Sequence, residues 1–130
     1  MTKYIQPGWL VQKVLNPVVM RTGMATVLAV KTRTTGREQT LPVNVLEYDG
    51  SEYLVSVRGE TQWVRNLRAT GECELRKKGR ARRLAATEIP AGDRGPIVGA
   101  YRKQWDSQVK QFFKDLPDDA DHPVFALREV

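Results

Sequence analysis

The sequence predicts an α+β fold in which roughly six short strands form a small antiparallel β-barrel that carries helices on its outside. Short apolar runs separated by turn signals indicate the strands, and Asp49-Gly50 and Lys78-Gly79 are typical of tight hairpins. A long amphipathic segment in the C-terminal part indicates a helix that covers the sheet. A small barrel gathers its loops, which favours a pocket for a flat ligand.

The length and composition are those of one domain spanning residues 1–130. The 130 residues suffice to bury a core, and 41% hydrophobic and 28% charged residues are typical of globular proteins. No apolar run is long enough to span a bilayer, and no signal-peptide pattern is present. We therefore expect a cytoplasmic protein.

The single cysteine and the single histidine exclude several kinds of chemistry. Cys73 lies in a strand-like alternation and is expected to be a small core residue, so no internal disulfide forms. His122 precedes Pro123 at the entrance to a strand, which favours a structural role over that of a general base. One cysteine and one histidine cannot build a zinc site, so we expect no metal. The sequence also lacks a paired-carboxylate motif of the kind that would indicate a hydrolase.

A net charge of +6 and a pI of about 9.7 indicate an acidic partner, which could be nucleic acid, an anionic membrane surface or a polyanionic small molecule. Much of the positive charge lies in the run Arg76–Arg83. We interpret this run as a solvated hairpin, because recognition of single-stranded nucleic acid usually needs aromatic side chains among the basic ones. We therefore expect no nucleic-acid partner.

Three strands are expected in the N-terminal half. Asp49-Gly50 joins the second strand to the third. Pro42 requires either that the second strand lie at an edge of the sheet or that the proline be the first residue of the strand. The predicted strands are Ala25–Thr32, Leu41–Tyr48 and Glu52–Val57.

Helices and strands alternate in the C-terminal half. Thr61 is placed to cap a short helix that Gly71 ends. Tyr101, Trp105 and Val109 recur at the four-residue spacing of an amphipathic helix. The predicted elements are helix Gln62–Thr70, strands Glu72–Lys77 and Arg80–Ile89, helix Ile97–Phe113 and strand Val124–Leu127.

Residues 1–22 are predicted to form an N-terminal helical segment. Apolar residues between Pro7 and Arg21 recur near helical spacing, and Pro17 bends or ends a turn. Such a segment can pack on the domain or lie on a membrane surface. Packing is favoured because the few charges form no basic face, and peripheral membrane contact is the alternative.

Two strand ends combine guanidinium groups with glycine. The turn Arg33-Thr34-Thr35-Gly36-Arg37 follows the first strand, and Arg58-Gly59 follows the third. Backbone N–H groups, hydroxyls and guanidinium groups in tight turns bind anions. The two turns together fit one phosphorylated ligand, while each alone is equally typical of a polar surface turn.

The order of these motifs resembles the deazaflavin-dependent nitroreductase family, also called deazaflavin-dependent quinone reductases, of mycobacteria and related actinobacteria. The resemblance implies a split β-barrel related to flavin-binding proteins. It also implies the cofactor coenzyme F-420, an 8-hydroxy-5-deazaflavin with a phosphate and an acidic oligoglutamate tail. The resemblance covers about residues 20–130 and depends on the ordered set Thr35-Gly36, Pro42, Asp49-Gly50, Arg58-Gly59, Trp63 and Asn66-Leu67.

The resemblance implies an oxidoreductase. In this family, hydride passes from the reduced deazaflavin to a small apolar acceptor, here a quinone, an enone or a nitro compound. Tyr101 matches the tyrosine-rich substrate wall of the nitro-reducing members and is the candidate catalytic residue. The residues that match the cofactor site are Arg33, Thr34, Thr35, Gly36, Gln39, Pro42, Val43, Asn44, Val57, Arg58, Trp63 and Asn66.

The sequence departs from the family pattern at several ligand positions. Thr34 stands where a lysine is common, Asn44 replaces an aromatic residue, and the segment between Gly59 and Trp63 is short. Cofactor binding is therefore better supported than any particular acceptor. The alternatives that stay open are a non-catalytic barrel that binds FMN, another flavin or a haem-derived ligand, a lipid carrier, and a nucleic-acid-binding small barrel.

Overall fold

The computed structural model describes residues 25–130, so the helical segment predicted over residues 1–22 lies outside the described residues. Among residues 25–130, no helix has the length and apolar character needed to cross a membrane. Short 3-10 turns precede the second helix and the last strand. The elements are β1 (Thr26–Lys31), β2 (Glu38–Val43), β3 (Leu46–Tyr48), β4 (Ser51–Val55), α1 (Gln62–Thr70), β5 (Glu72–Lys77), β6 (Arg80–Glu88), α2 (Gly95–Asp115) and β7 (Val124–Glu129).

The seven strands form one antiparallel sheet with the order β2-β1-β5-β6-β7-β4-β3. The two edge strands, β2 and β3, are consecutive in sequence, and only Asn44 and Val45 separate them. A flat sheet cannot bring its two edges so close together, so the sheet curls until the edges face each other. The result is a split β-barrel with helices outside it, which confirms the predicted fold class.

The strand predicted over Leu41–Tyr48 is wrong, because the structure contains two strands there. β2 begins earlier, at Glu38, and ends at Val43, and β3 begins at Leu46. The break is the crossing between the two sheet edges, where the chain exchanges its partner β1 for β4. Pro42 lies in an edge strand, as predicted, and an edge strand tolerates the missing N–H.

Two further strand ends differ from the prediction by two residues, and the remaining differences at strand ends are of one residue. β4 ends at Val55 rather than at Val57, because Ser56 begins a turn in which its hydroxyl donates to the carbonyl oxygen of Gly59 at 2.6 Å. β7 continues to Glu129, where the long strand β6 still offers a partner at Leu84. Both differences arise from contacts with distant segments or within a turn, which local hydrophobic patterns do not encode.

Two hydrophobic clusters lie on the two faces of the sheet. The first lies between the curled sheet and α1 and includes Leu28 and Val64, both fully buried. The second lies between the sheet and α2 and includes Val98. The neighbouring residues Leu54 and Val55 belong to different clusters, as the alternation of side chains along a strand requires.

The short helix α1 has the predicted bounds and the predicted buried face, which includes Trp63, Asn66 and Leu67. Thr61 occupies the cap position, but its side chain makes no capping hydrogen bond, contrary to expectation. Gly71 ends the helix at φ +71°, a left-handed conformation that glycine adopts without strain. The polar face of α1 is therefore directed away from the core.

The long helix α2 extends beyond the predicted range Ile97–Phe113 at both ends. It is interrupted at Trp105, whose backbone angles of φ −119° and ψ 29° are not helical. Tyr101 and Val109 are buried, whereas Trp105 is half-buried with its ring centroid 4.7 Å from that of Tyr101. The four-residue spacing predicted the buried face but carries no signal for the interruption.

His122 has the structural role that its position suggested. The residue is fully buried, and its ring stacks on Phe113 with centroids 4.2 Å apart. Nδ1 lies 2.9 Å from the carbonyl oxygen of Ser56, and Nε2 lies 2.6 Å from that of Leu116. A ring held between the end of β4 and the end of α2 is not placed to serve as a general base for a ligand.

The arginines of the basic run Arg76–Arg83 are largely paired with carboxylates. The positive charge that the sequence concentrates here is therefore partly neutralised within the sheet, and Lys77, Lys78 and Arg80 remain at the tip of the hairpin. The ion pairs are Arg76 with Glu38 and Glu74, Arg82 with Glu52 and Glu129, and Arg83 with Glu72.

Glu88 links α1 to the end of β6. Arg68 donates to both of its carboxylate oxygens at 2.7 Å, and the buried Arg94 donates to one of them at 3.1 Å. The hydrogen bond from Arg68 holds the pKa of Glu88 below its usual value of 4.5, with burial opposing the effect and both positive charges adding to it. This stabilisation is therefore complete above the unfolded-state pKa and is lost as the pH falls through the lower folded-state value.

Glu88→Gln should lower the free energy of unfolding at neutral pH by about 1–2 kcal/mol, because Arg68 and Arg94 lose an ionised acceptor. The loss is no larger because Arg68 is exposed and solvent screens its charge. The difference from the wild type should shrink in acid, where Glu88 itself is protonated. Urea denaturation at neutral and acidic pH measures both. Glu72→Gln, which breaks the exposed pair with Arg83, is the control and should cost at most about 0.5 kcal/mol. A difference that does not change with pH would contradict this role.

Candidate functional site

A large open cleft lies where the two edges of the sheet face each other. Its volume is about 1480 Å³. β2 and its link to β3 form one wall, α2 forms another, and the segment after β4 and the β5–β6 hairpin contribute the ends. Pockets for drug-sized ligands usually measure about 300–1,000 Å³, so this cleft has room for an elongated ligand or for two ligands side by side.

The middle of the cleft is lined by flat and apolar side chains. Pro42 and Val43 come from β2, and Trp63 comes from the first turn of α1. Such walls suit a planar ring, which they remove from water without requiring a particular hydrogen bond. The other apolar lining residues include Leu41, Val45, Val57, Trp105, Val109 and Phe112.

One end of the cleft has the electrostatics of an anion site. Arg58 lines this end together with Thr61 and Gln62 at the beginning of α1. Because the first turn of α1 contains no acidic residue, the positive end of the helix dipole and the free N–H groups are not neutralised there. Thr61 is 4% exposed, and its hydroxyl has no hydrogen-bond partner among residues 25–130. An oxygen-rich ligand would satisfy that hydroxyl.

Arg33 lies next to this end, in an exposed turn, and is fixed to α1. Its backbone N–H and its Nη1 both donate to Asn66 Oδ1, at 3.1 and 2.7 Å, and its Nη2 donates to Gln62 Oε1 at 2.9 Å. Asn66 Nδ2 donates to Gln39 Oε1 at 2.8 Å, and Gln39 lines the cleft. In the described part of the chain no carboxylate forms an ion pair with Arg33, so its charge is available to an anion.

A second polar cluster lies where the β2–β3 link meets α2. Asn44 Nδ2 donates to Tyr101 Oη at 3.3 Å and to Gln108 Oε1 at 3.3 Å. Tyr101 is 4% exposed, and all three side chains line the cleft. Burial raises the pKa of the Tyr101 hydroxyl, and the hydrogen bond from Asn44 opposes part of that rise. The hydroxyl therefore keeps its proton at neutral pH.

The structure brings eight of the thirteen candidate residues to the cleft wall and places five elsewhere. Asn66 lies beneath the wall, bonded to Arg33 and Gln39. Arg33, Thr34, Thr35 and Gly36 form the exposed turn next to the cation-rich end. The eight that line the cleft are Gln39, Pro42, Val43, Asn44, Val57, Arg58, Trp63 and Tyr101.

Sequence reasoning missed several lining residues. Gln108 falls two helical turns after Tyr101, so the spacing alone could have placed it on the same face. The sequence pattern around Thr61 indicates only a helix cap. The opposite end of the cleft is lined by Lys77, Lys78 and Arg80. Their position there depends on the curl of the sheet, which the local sequence does not indicate. Among residues 25–130, no group of three or more histidine, cysteine, aspartate or glutamate side chains could hold a metal ion.

The sequence matches a known family over most of its length. Residues 8–117 match the family described as F-420H(2)-dependent quinone reductase. The chain therefore belongs to that family, whose cofactor is coenzyme F-420, and it is a deazaflavin-dependent reductase. No curated protein matches the chain.

Solved structures share the fold at low sequence identity. An F-420-H2 dependent reductase aligns with a TM-score of 0.59 and 14% identity, over 79% of this chain and 92% of that one. A nimc/nima family protein from Clostridium acetobutylicum aligns with a TM-score of 0.54 and 19% identity, over 88% and 85%. HutZ, a heme storage protein from Vibrio cholerae, aligns with a TM-score of 0.52 and 11% identity, over 89% and 90%. These likenesses establish the split-barrel fold alone.

Asn66→Leu should lower the free energy of unfolding by about 1–3 kcal/mol, because it leaves the backbone N–H of Arg33 without its acceptor. Leucine preserves the size of the side chain, so the change reports on the lost hydrogen bonds. Urea denaturation measures the change. Thr34→Ala, in the same exposed turn, is the control and should change stability by less than about 0.5 kcal/mol. Equal stability of both variants would mean that α1 does not anchor the turn.

Proposed function

We propose that this protein transfers a hydride from reduced coenzyme F-420 to a quinone, an enone or a nitro compound bound in the cleft. The observation that carries the proposal is the division of the cleft into a cation-rich end, a flat apolar middle and a cluster of neutral polar groups around Tyr101. A cofactor with an acidic tail, its planar ring and an apolar acceptor need three environments of these kinds. Membership of the family supports the assignment.

The residues at the cation-rich end fit the cofactor's anionic part. Arg33 and Arg58 offer guanidinium groups, α1 offers free N–H groups, and the Thr61 hydroxyl lacks a partner within residues 25–130. A phosphate or carboxylate is complementary in charge to this end of the cleft and would accept from the Thr61 hydroxyl. The ring would then lie against Pro42 and Trp63 in the apolar middle. Thr34, Thr35 and Gly36 are assigned to the acidic tail, because their turn lies outside the cleft.

Bound and reduced, coenzyme F-420 supplies the hydride, and the protein supplies position, desolvation and a proton. The apolar side chains of Trp105 and Phe112 would displace water from the face of a bound ring. Tyr101 Oη accepts from Asn44, so its own hydrogen is free to point towards an acceptor. The raised pKa keeps that hydrogen in place until charge develops on the acceptor.

A non-catalytic barrel that binds FMN is the second candidate, because the cation-rich end would hold any phosphate. A haem ligand is less well supported, because His122 is buried between two carbonyl oxygens and is not directed into the cleft. Fluorescence titration with coenzyme F-420 and with FMN, followed by oxidation assays with a quinone, an enone and a nitroarene, separates the candidates. Selective deazaflavin binding with turnover supports the proposal, and tighter FMN binding without turnover would overturn it.

Arg58→Ala should weaken coenzyme F-420 binding by about ten- to a hundred-fold, because a charge-assisted hydrogen bond contributes about 1.5–3 kcal/mol. Titration of the folded variant measures the change. Arg128→Ala removes an exposed arginine of β7 that does not line the cleft and should bind as the wild type does. Unchanged affinity in Arg58→Ala would refute the anion site.

Tyr101→Phe should leave stability and coenzyme affinity nearly intact, because it keeps the buried ring and removes only the hydroxyl. Turnover should fall by about 10²–10⁴-fold if that hydroxyl gives the proton. Steady-state kinetics with urea denaturation measure both effects. Tyr53→Phe, which removes a hydroxyl outside the cleft, serves as the control. Full activity in Tyr101→Phe, or a loss of stability without a loss of turnover, would assign Tyr101 to the core alone.

A further inference from the structure

Asn44 donates to Tyr101 and to Gln108, and each of these side chains keeps a hydrogen-bond donor that is not directed at Asn44. The two hydrogens of Asn44 Nδ2 are used by Tyr101 Oη and by Gln108 Oε1. Tyr101 therefore accepts from Asn44 and has its own O–H to give, and the Gln108 amide turns its oxygen to Asn44 and its NH2 group outwards. Within residues 25–130 neither of these donors has an acceptor in the protein.

We propose that Tyr101 Oη and Gln108 Nε2 form a two-donor site for a carbonyl oxygen of the acceptor, with Asn44 as the residue that positions both. This inference rests on the proposed function and assigns a binding site to the carbonyl oxygen of a quinone or enone acceptor. Tyr101 and Gln108 lie two turns apart on α2 on either side of the interruption at Trp105, and Asn44 reaches them from the other wall. The two donors are thus on one helix, and the residue that orients them is on a separate element.

The charge of the cluster determines the class of ligand. All three groups are neutral, and their free hydrogens are donors, so the site favours a neutral oxygen acceptor. Arg58 lies at one end of the cleft and the lysines at the tip of the β5–β6 hairpin lie at the other, while Arg82, which also lines the cleft, is paired with Glu52 and Glu129. An anionic ligand group would be drawn to those ends, whereas a carbonyl group gains most from the cluster.

The same donors are suited to the reaction of an enone. If reduced deazaflavin delivered a hydride to the β-carbon, the deazaflavin would be oxidised by two electrons, the electron pair of the C=C bond would shift, and negative charge would gather on the carbonyl oxygen. A proton from the Tyr101 hydroxyl or from water then completes the reduction, so that one hydride and one proton are added in total. Hydrogen bonds to an oxygen strengthen as its charge grows, so the two donors act more on the transition state than on the bound substrate.

The kinetic test uses Gln108→Leu with cyclohex-2-enone as the acceptor. Turnover should fall by about ten- to a hundred-fold, somewhat below the ~10²–10³-fold typical of a buried oxyanion-hole donor because Gln108 is exposed. KM and the affinity for coenzyme F-420 should change little. Gln104→Leu alters an exposed glutamine of the same helix outside the cleft and should keep wild-type kinetics. Equal turnover in both variants would overturn the proposal.

A binding test does not depend on turnover. Tryptophan fluorescence, with Trp105 in the cleft, follows the binding of 1-indanone and of indane, which has the same rings without the oxygen. The wild type should bind the ketone about 2–10-fold more tightly than the hydrocarbon. Gln108→Leu and Tyr101→Phe should each reduce this preference. Asn44→Asp should reduce it as well, because a carboxylate would accept from both donors and occupy them.

The outcomes separate this inference from the proposed function. A wild type that prefers 1-indanone, with the preference lost in the variants, supports the carbonyl site whether or not coenzyme F-420 binds. A wild type that oxidises reduced coenzyme F-420 but shows the same ketone preference as its Gln108→Leu variant refutes the carbonyl site alone. Failure of coenzyme binding in the wild type refutes the proposed function.

Discussion

The fold and the cleft depend on one constraint, the two-residue link Asn44-Val45 between the edges of a seven-stranded sheet. Val43 and Leu46 are three peptide units apart, so their Cα atoms can be no more than about 11 Å apart. A sheet whose edges must meet within that distance has to curl. Its edges approach at the link without forming a ladder, and the opening between them is the cleft.

The same link divides the cleft chemically. On one side of the link lies β2, which contains Gln39. Gln39 is hydrogen-bonded to Asn66, and Asn66 accepts from Arg33, so a guanidinium group lies at the beginning of α1. On the other side, Asn44 reaches the neutral donors of α2. In the proposed function, a charged ligand group and an uncharged one would therefore contact different parts of one surface. Separate contacts of this kind would allow the cofactor and the acceptor each to be oriented, and hydride transfer depends on the relative orientation of the two.

The parts that sequence predicted correctly are those determined by neighbouring residues. The hairpins at Asp49-Gly50 and Lys78-Gly79 have positive φ at all four residues, as tight turns of this kind require. The buried faces of α1 and α2 follow from helical spacing. The order of short motifs was enough to identify the family, since the order of elements is a property of the chain itself.

The parts that sequence did not predict are determined by contacts between distant residues. Asn66 and Arg33 are 33 positions apart, and Asn44 and Gln108 are 64 apart, so no local pattern indicates that they meet. The strand break at Asn44 has the same origin, because a β-prone sequence is interrupted by the need to change partners. The interruption of α2 at Trp105 has no sequence signal such as proline or glycine beside it.

Backbone amide NMR during titration with coenzyme F-420 tests the central claim most directly, namely that the cofactor binds in the cleft between the sheet edges. The account predicts large shift changes for residues 33–45, 57–63 and 101–112, with little change in the paired centre of the sheet between β6 and β7. Changes confined to β6 and β7, or to the C-terminal end of α2 around Lys114 and Asp115, which does not line the cleft, would contradict it.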